Sequence, residues 1–220
     1  MSVGRSLAVV VGGAPIRPPD RRFDAVIVAD SGLDVALAAG LEPTLLVGDM
    51  DSISPDGLSW AGARDVPVQR HPADKDDTDT ALAVRCAASM GAADGGDEML
   101  VLGADATSRL DHLLGTLVCL GDRALEIFAD VTAHLGGTHV HVLHPGHGTV
   151  LILAEGRVFS LLALHGDCAG ITVGDARWPL TDARLCAGST LGISNESLGR
   201  PVSVAVTTGV LTVIVPESAS

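Results

Sequence analysis

The sequence predicts an α/β protein in which a parallel-sheet domain is followed by a C-terminal all-β domain. In the first part of the chain, short apolar runs alternate with segments of helical pattern, which is typical of βαβ units and a parallel sheet. After about residue 135 the helical patterns stop. Strand-like runs then follow one another, separated by Pro-Gly, Glu-Gly and Thr-Gly turns, which indicates antiparallel strands.

The first predicted domain, residues 1–134, alternates strands with helices. The predicted strands are LAVVV (7–11), AVIVA (25–29), TLLVG (44–48), VPVQ (66–69), MLVLG (99–103) and LEIF (125–128). The predicted helices are LDVALAAG (33–40), PDGLSWAGA (55–63), DTDTALAVRCAASMG (77–91) and RLDHLLGTLVCLG (109–121).

The second predicted domain, residues 135–220, begins within the segment DVTAHLGGT. Its predicted strands are HVHVL, TVLILA, VFSLLAL, AGITV, VSVAV and VLTVIV. Because each run is apolar and ends at a turn residue, we expect a compact antiparallel module rather than further helices.

Composition and charge exclude several classes of protein. The 220-residue chain has a formal net charge of −13 and no basic stripe, which argues against nucleic-acid binding. Anionic small molecules remain possible ligands, because a divalent cation held by carboxylates can bridge to phosphate oxygens. No window approaches about 18 uninterrupted apolar residues, so no membrane span is expected. The four cysteines form no C-x-x-C pair, which favours reduced thiols in a cytoplasmic protein.

Carboxylates follow the predicted parallel strands at the points where those strands end. Asp30 follows AVIVA, Asp49 and Asp51 follow TLLVG, and Asp105 follows MLVLG. Ligands of open parallel sheets bind at this carboxyl edge. Asp49 and Asp51 lie in one turn, where they repel unless a cation lies between them, and Mg²⁺ takes one or two carboxylates plus substrate phosphates. Asp is also a common turn residue, but the convergence of several strand ends favours a magnesium site.

The segment HPADKDDTDTALAV (71–84) opens the longest predicted helix. If this helix begins near Asp76 or Asp77, then Asp76 and Asp79 share a face, with Lys75 just before them. One interpretation is an acidic helix start that complements the helix dipole. Beside the other carboxylates, a metal site with Lys75 on phosphate is the favoured interpretation.

Five segments in order carry a resemblance to a known family: ADSGLD (29–34), GDMDSI (48–53), KDDTD (75–79), RLDH (109–112) and GISNE (192–196). Over about residues 7–215 the chain resembles the thiamine pyrophosphokinases. The resemblance implies a Rossmann-like catalytic domain and a C-terminal antiparallel sandwich or roll that binds thiamine. It implies diphosphoryl transfer from ATP to the thiamine hydroxyl, with thiamine diphosphate and AMP as products. It also implies a homodimer with thiamine held between the two subunits.

The resemblance implies roles by position. The metal-associated carboxylates are Asp49, Asp51 and Asp79, and Asp111 completes the implied catalytic set. The implied nucleotide-binding residues are Asp30, Ser31, Lys75, Asp76, Arg109 and His112, with Lys75 and Arg109 neutralising phosphate charge. This suits an in-line displacement, in which positioning and charge stabilisation dominate. Any of the aspartates can orient the alcohol, so no single general base is assigned.

In the second domain the resemblance places Trp178 against the thiamine rings. An indole is a suitable contact for a cationic thiazolium or a flat pyrimidine. Trp178 as a core or dimer-interface residue is an equal alternative. Ser194 and Asn195 are expected at the pyrimidine edge, although Ser-Asn is also an ordinary turn pair.

The chain departs from the family pattern at two places. Ala106, Thr107 and Ser108 stand where a glycine pair is usual, so this loop takes another path or its hydroxyls contact phosphate. Ala81 stands where an acidic residue is frequent, which weakens the case for a further carboxylate there. The histidines of segment 134–147 are disfavoured as a zinc site, because no cysteine or carboxylate accompanies them at a suitable spacing.

We therefore expect a cytoplasmic, Mg²⁺-dependent enzyme of this family that uses ATP and thiamine. One alternative is a pyrophosphokinase for another primary alcohol, such as a hydroxymethylpterin, and Trp178 with the GISNE segment favours thiamine over it. The other alternative is a non-catalytic sensor of nucleotide or thiamine diphosphate. A costly cluster of carboxylates argues against that alternative.

Overall fold

The computed structural model describes residues 4–72, 74–91, 96–104 and 109–217. The chain forms two compact units. The first runs to Ala129 and includes Ala133–Gly136, and the second comprises Asp130–Thr132 and the chain from Gly137 onward. The sequence placed the domain boundary between residues 134 and 135, within this segment.

The first unit contains a parallel sheet. Its strands are β1 (Ser6–Val10), β2 (Ala25–Ala29), β3 (Leu45–Gly48), β4 (Val68–Arg70) and β5 (Glu98–Leu102). They lie in the order β5-β1-β2-β3-β4, and every neighbouring pair is parallel. The chain runs outward from β1 to β4 and returns to β5 on the other side of β1. This change of direction creates a crevice beyond the carboxyl ends of β1 and β5, where ligands of such sheets bind.

Among the described residues, four α-helices accompany these strands: α1 (Gly32–Ala38), α2 (Pro55–Ala63), α3 (Asp79–Met90) and α4 (Leu110–Cys119). The predicted start of α3 near Asp76 or Asp77 is wrong. Thr78 has extended backbone angles and its hydroxyl accepts a hydrogen bond from Ala81 N at 3.2 Å, so it caps the helix. Asp76 therefore lies in the preceding loop and does not share a helix face with Asp79.

The predicted strand LEIF is also wrong, because a 3₁₀ helix spans Arg123–Ile127. Asp122 caps it by accepting a hydrogen bond from Ala124 N at 3.0 Å. Leu125 and Phe128 are fully buried at a spacing of three residues, as one face of a 3₁₀ helix requires. A short apolar run does not distinguish the two structures. The strand β6 follows instead at Asp130–Leu135.

The core of the first unit surrounds the central strands. All five residues of β2 are buried, which indicates cover on both faces of the sheet. Helix α1 approaches β1 closely, since a Cβ added at Gly32 would lie 2.3 Å from Val10 O. The predicted α/β class with a parallel sheet is confirmed.

The second unit consists of antiparallel strands. They are β7 (Thr138–Leu143), β8 (Gly148–Leu151), β9 (Val158–Leu162), β10 (Cys168–Gly174), β11 (Leu180–Leu185), β12 (Asn195–Glu196), β13 (Val202–Ala205) and β14 (Leu211–Val215). One group has the order β12-β9-β14-β7 and the other β11-β10-β13-β8. Buried side chains from both groups form one core, including Phe159, Leu161, Ile171, Val204 and Val213. The predicted all-β character is confirmed, although strands β11 and β12, which contain no continuous apolar run, were not predicted.

No helix in the described part of the chain is both long enough and apolar enough to cross a bilayer.

Candidate active site

A cleft of about 460 Å³ lies in the first unit, at the carboxyl edge of the parallel sheet. The segments after β1, β2 and β3, the start of α3 and the first turns of α4 line it. Among the predicted site residues, the lining includes Asp30, Ser31, Asp49, Asp51, Lys75, Asp79, Arg109 and His112. The cleft therefore gathers residues from four of the five segments that carry the family resemblance.

Three carboxylates meet in this cleft. One oxygen from each of Asp30, Asp49 and Asp51 lies within 4.8 Å of the other two. Asp30 is only 9% exposed, and its Oδ1 is buried without a hydrogen-bond partner among the described residues. Burial raises the pKa of Asp30 against the lowering effect of the nearby Ser52 hydroxyl, and the neighbouring carboxylates of Asp49, Asp79 and Asp51 raise it further. A cation placed among these oxygens would supply the missing partner.

The backbone at the end of β3 allows the carboxylates to approach. Gly48 has a φ of 144°, and a Cβ there would lie 3.0 Å from Asp79 Oδ1 and 3.2 Å from Asp30 Cβ. In the turn that follows, Asp51 N donates to Asp49 Oδ1 at 3.1 Å. This backbone hydrogen bond, and then the charge of Lys75, lowers the pKa of Asp49 against the effect of burial. Asp49 is thus held ionised beside a more basic Asp30.

Lys75 supplies positive charge to the cluster. Its Nζ lies 3.0 Å from Asp79 Oδ1 and 3.8 Å from Asp49 Oδ2, and its side chain is 14% exposed. Burial lowers the pKa of Lys75, but the carboxylates of Asp79, Asp49 and Asp30 together raise it above the ordinary value. One lysine among four carboxylates leaves an excess of negative charge, which a divalent cation would balance.

Asp34, in the first turn of α1, was not predicted as part of this region. Its carboxylate accepts hydrogen bonds from Ser54 N at 2.9 Å and Ser54 Oγ at 2.5 Å. Ser54 Oγ in turn accepts from Gly57 N at 3.0 Å and caps α2. Asp34 therefore fixes the end of the turn that carries Asp49 and Asp51. Two features of the sequence could have indicated this contact: the helix-capping pattern Ser-Pro-Asp-Gly that begins at Ser54, and the second acidic residue of ADSGLD, which is Asp34.

Asp77 lines the cleft, whereas the predicted Asp76 is exposed and does not. The difference follows from the start of α3 at Asp79. Asp77 Oδ2 lies 2.5 Å from Arg85 Nη1, and Arg85 Nε also contacts Asp122 Oδ2 at 3.3 Å. Arg85 therefore connects the loop before α3 with the turn between α4 and the 3₁₀ helix.

Arg109 and Asp111, at the start of α4, form a two-bond ion pair. Arg109 Nε and Nη2 lie 2.9 Å and 2.8 Å from the two Asp111 oxygens. Both side chains are largely exposed, and Arg109 holds the pKa of Asp111 well below its usual range. Arg109 and His112 line the cleft, but Asp111 does not. The predicted Asp105 and the departure at Ala106–Ser108 lie outside the described residues.

In the second unit, Trp178 borders a hollow of about 80 Å³. The hollow is lined by Leu161, Trp178, Leu180, Leu191, Gly192, Ile193 and Asn195. The Trp178 side chain is 51% exposed, and the Arg177 guanidinium lies 4.8 Å from its ring centroid. Trp178 is thus accessible rather than a core residue.

Asn195 and Ser194 are placed differently from each other. Asn195 is 6% exposed, and its side chain is hydrogen-bonded to the backbone of Trp178. Ser194 is exposed, has a φ of 65°, and donates its backbone N–H to Ser160 Oγ at 3.1 Å. Ser194 does not line the hollow.

The histidine-rich segment lies mainly on β7 and the following turn. His144 is fully buried and His139 is exposed. Across the described ranges, the set of three ligand-type side chains close enough to share a metal is Asp30, Asp49 and Asp51.

Comparison with known proteins agrees with this two-part architecture. The family model described as "Thiamin pyrophosphokinase, catalytic domain" matches residues 21–128, and "Thiamin pyrophosphokinase, vitamin B1 binding domain" matches residues 141–211. The chain is 25% identical over 215 residues to the thiamine pyrophosphokinase of Bacillus subtilis strain 168, covering 96% of this chain and 98% of the relative.

Solved structures show the same fold. The Bacillus subtilis thiamine pyrophosphokinase matches with a TM-score of 0.78 at 23% identity, covering 98% of this chain and 100% of that one. The Geobacillus thermodenitrificans enzyme matches at 0.74 and 26% identity, covering 98% and 99%. The Candida albicans enzyme matches at 0.77 and 14% identity, covering 96% and 88%. With both family models matched in order along most of its length, the chain belongs to the thiamin pyrophosphokinase family.

Proposed function

We propose that this chain transfers the diphosphoryl group of ATP to the hydroxyl of thiamine, giving thiamine diphosphate and AMP. The observation that carries the proposal is the cleft in which Asp30, Asp49 and Asp51 converge beside Lys75 and Asp79. Apart from Val11, Gly12 and Gly13, the lining residues of this cleft lie within residues 21–128, which match the family's catalytic domain. An acidic cluster with a neighbouring lysine suits a reaction that depends on metal-bound phosphates and charge stabilisation.

The residues present fit Mg²⁺. Asp30 Oδ1 is buried without a partner among the described residues, and the three carboxylates are close enough to share one ion. We therefore assign Asp30, Asp49 and Asp51 as the first candidates to hold the metal. Asp79, expected earlier as a ligand, lies beside them in contact with Lys75. When bound, Mg²⁺ neutralises phosphate charge and helps to orient the groups to be transferred.

Basic side chains of the cleft would bind the polyphosphate of ATP. Lys75 sits at the metal cluster, and Arg109 opens α4 at the side of the cleft. Arg109 is paired with an exposed carboxylate, so it can exchange Asp111 for a phosphate group at small cost. Its planar guanidinium suits bidentate phosphate binding.

The nucleotide would enter the crevice beyond β1, where Gly12 and Gly13 line the cleft. A Cβ at Gly12 would lie 2.1 Å from Ser31 Oγ, so the absence of a side chain at Gly12 leaves room for the Ser31 hydroxyl. Ser31 therefore stands at the edge of the crevice, as expected of a nucleotide contact.

Trp178 is the proposed thiamine contact. Its indole is half exposed beside an apolar hollow, which suits a flat cationic ring system. The segment matched by the family's vitamin B1 binding domain, residues 141–211, includes this residue.

We propose a homodimer as the active form, with each thiamine site completed by a second subunit. The exposed face of α4 supports this assembly. Leu110, Leu114 and Val118 follow a four-residue spacing and are 58%, 51% and 67% exposed. Such an apolar stripe on a helix is typical of a contact surface.

The cytoplasm is the proposed location. All four cysteines are free thiols in the structure, as expected in a reducing compartment where ATP is also available.

The test is to incubate the purified protein with ATP, Mg²⁺ and thiamine and to follow AMP and thiamine diphosphate by chromatography. Equal appearance of both products supports the proposal. AMP or ADP without thiamine diphosphate would indicate another acceptor, such as a pterin alcohol, or cleavage of another bond. Binding of thiamine or ATP without any product would favour the non-catalytic sensor.

A further inference from the structure

We infer that Asn195 is a positioning residue that holds the backbone of Trp178, rather than a residue that contacts thiamine itself. The inference rests on the proposed function, in which Trp178 binds the thiamine rings. It differs from the expectation drawn from the sequence, which placed the Asn195 amide at the pyrimidine edge.

The hydrogen bonds of Asn195 carry this inference. Its Oδ1 accepts from Trp178 N at 3.1 Å and from Glu196 N at 2.8 Å, and its Nδ2 donates to Trp178 O at 2.8 Å. A side-chain amide has one oxygen with two lone pairs and two N–H donors. Both lone pairs and one of the two N–H groups are therefore used within the protein, and Asn195 is 6% exposed although it borders the hollow.

The Asn195 amide takes the place of a neighbouring strand. It bonds both the N–H and the C=O of Trp178, as a residue in an antiparallel ladder does. Trp178 lies between the isolated bridge that joins Ala176 to Ser197 and the start of β11 at Leu180. Pro179 follows and lacks an N–H donor. The amide thus secures a segment with little regular pairing of its own.

Strand β12 also controls the ring of Trp178. Glu196 Oε2 lies 2.7 Å from Arg177 Nη1, and the Arg177 guanidinium lies over the indole. Because a cation already covers one face of the ring, a cationic ligand would stack on the other face. Asn195 and Glu196 therefore fix, respectively, the backbone and the occupied face of the aromatic platform.

A double-mutant cycle separates positioning from direct contact. We expect Asn195→Ala to weaken thiamine binding about tenfold, with little change in the KM for ATP. In a Trp178→Ala background, the same Asn195→Ala change should weaken binding less than about twofold, because its effect passes through the tryptophan. Isothermal titration calorimetry with thiamine measures all four proteins.

A second readout does not require thiamine. In a Trp60→Phe background, Trp178 is the remaining one of the two tryptophans. Asn195→Asp keeps the acceptor oxygen, replaces the donor to Trp178 O by a second oxygen and adds a negative charge, with almost no change in volume. We expect stronger acrylamide quenching in the ligand-free protein, because a released Trp178 segment exposes the indole to this neutral quencher. Thr207→Ala, an exposed change in the same unit, is the matched control and should alter neither the emission nor the thiamine affinity.

The outcomes are distinct. An undiminished effect of Asn195→Ala in the Trp178→Ala background, with unchanged ligand-free fluorescence of Asn195→Asp, would overturn the inference and indicate direct contact with thiamine. Normal thiamine affinity of Asn195→Ala beside weakened Trp178→Ala would also overturn it, while leaving the proposed function intact. Normal affinity of Trp178→Ala would instead remove the thiamine role of the tryptophan, and the inference with it.

Discussion

The acidic cleft of the first unit and the Trp178 hollow of the second use polar groups in opposite ways. In the cleft, Asp30 Oδ1 is buried without a partner in the described part of the chain, and carboxylates outnumber Lys75. In the hollow, the buried Asn195 amide is almost fully hydrogen-bonded within the protein. The comparison indicates that the cleft leaves polar atoms free to bind a charged ligand. In the hollow, by contrast, the polar atoms bond to the protein itself and hold an aromatic side chain in place.

The largest expected effect comes from the cleft. Asp51→Asn removes one charge without changing volume, so it should lower turnover by about 100-fold or more while preserving the fold. The thermal midpoint without Mg²⁺ should stay equal or rise, because a repulsive charge is lost, and its increase on adding Mg²⁺ should shrink. Activity assays and thermal unfolding, each with and without Mg²⁺, test this.

Asp56→Asn is the matched control for this change. Asp56 is exposed in the first turn of α2. It is close to Asp51 in the sequence but does not line the cleft. It should retain normal turnover and a normal response to Mg²⁺. Near-normal activity of Asp51→Asn would remove Asp51 from the site.

Lys75→Met should have the next largest effect, lowering kcat/KM for ATP by roughly 10- to 100-fold. The variant loses the counter-charge of Asp79 and Asp49, so the metal-free protein should also be less stable. Lys75→Met should lower both kcat/KM and the stability of the metal-free protein. Asp51→Asn, by contrast, should lower turnover without destabilising the metal-free protein. Steady-state kinetics and urea unfolding measure the two effects, and unchanged kinetics would argue against a phosphate role.

Trp178→Ala tests the second unit. We expect the KM for thiamine to rise about tenfold while the KM for ATP changes little, since the indole is proposed to contact only the thiamine rings. Trp60→Phe, on α2, is the control for loss of a tryptophan and should leave both constants unchanged. Equal rises in both KM values would favour a structural role for Trp178.

The smallest expected effect is the pH dependence of stability, which we expect to arise from histidines of the second unit. Burial lowers the pKa of both His141 and His165, so these histidines are more easily protonated in the unfolded chain. Their contribution to stability is therefore present above the unfolded pKa of about 6.5 and is lost as the pH falls below it. Urea unfolding of the whole chain at pH 7.5 and 5.5 should show a lower free energy of unfolding at pH 5.5.

His141→Gln provides the check on this assignment. It should reduce the difference in stability between the two pH values, because one titrating group is removed. An unchanged difference would show that other groups dominate. The raised pKa of Asp30 has the opposite effect on stability. Because the ionised carboxylate is disfavoured in the folded protein, this group lowers the free energy of unfolding as the pH rises.

Much of the fold was predictable because its strands are marked by apolar runs. The segment Ala25–Ala29 was predicted with its correct ends, and the parallel sheet brought Asp30 close to Asp49 and Asp51, as strand ends require. The 3₁₀ helix over Arg123–Ile127 was missed because a short apolar run fits either period.

Details of the site depended on local geometry that spacing does not reveal. The cap at Thr78 moved the start of α3 and brought Asp77 rather than Asp76 to the cleft. The Asn195 side chain is hydrogen-bonded to the backbone of Trp178, 17 positions away, and no local sequence pattern indicates this contact. The roles of these residues in catalysis and binding stay predictions until the variants are measured.

The missing side chain at Gly48 also sets the width of the acidic cluster. An alanine there would push Asp30 and Asp79 apart by a few tenths of an ångström, and its φ of 144° would be strained. Gly48 therefore acts through the space it leaves: it keeps the buried carboxylate of Asp30 next to the ion pair of Lys75 and Asp79.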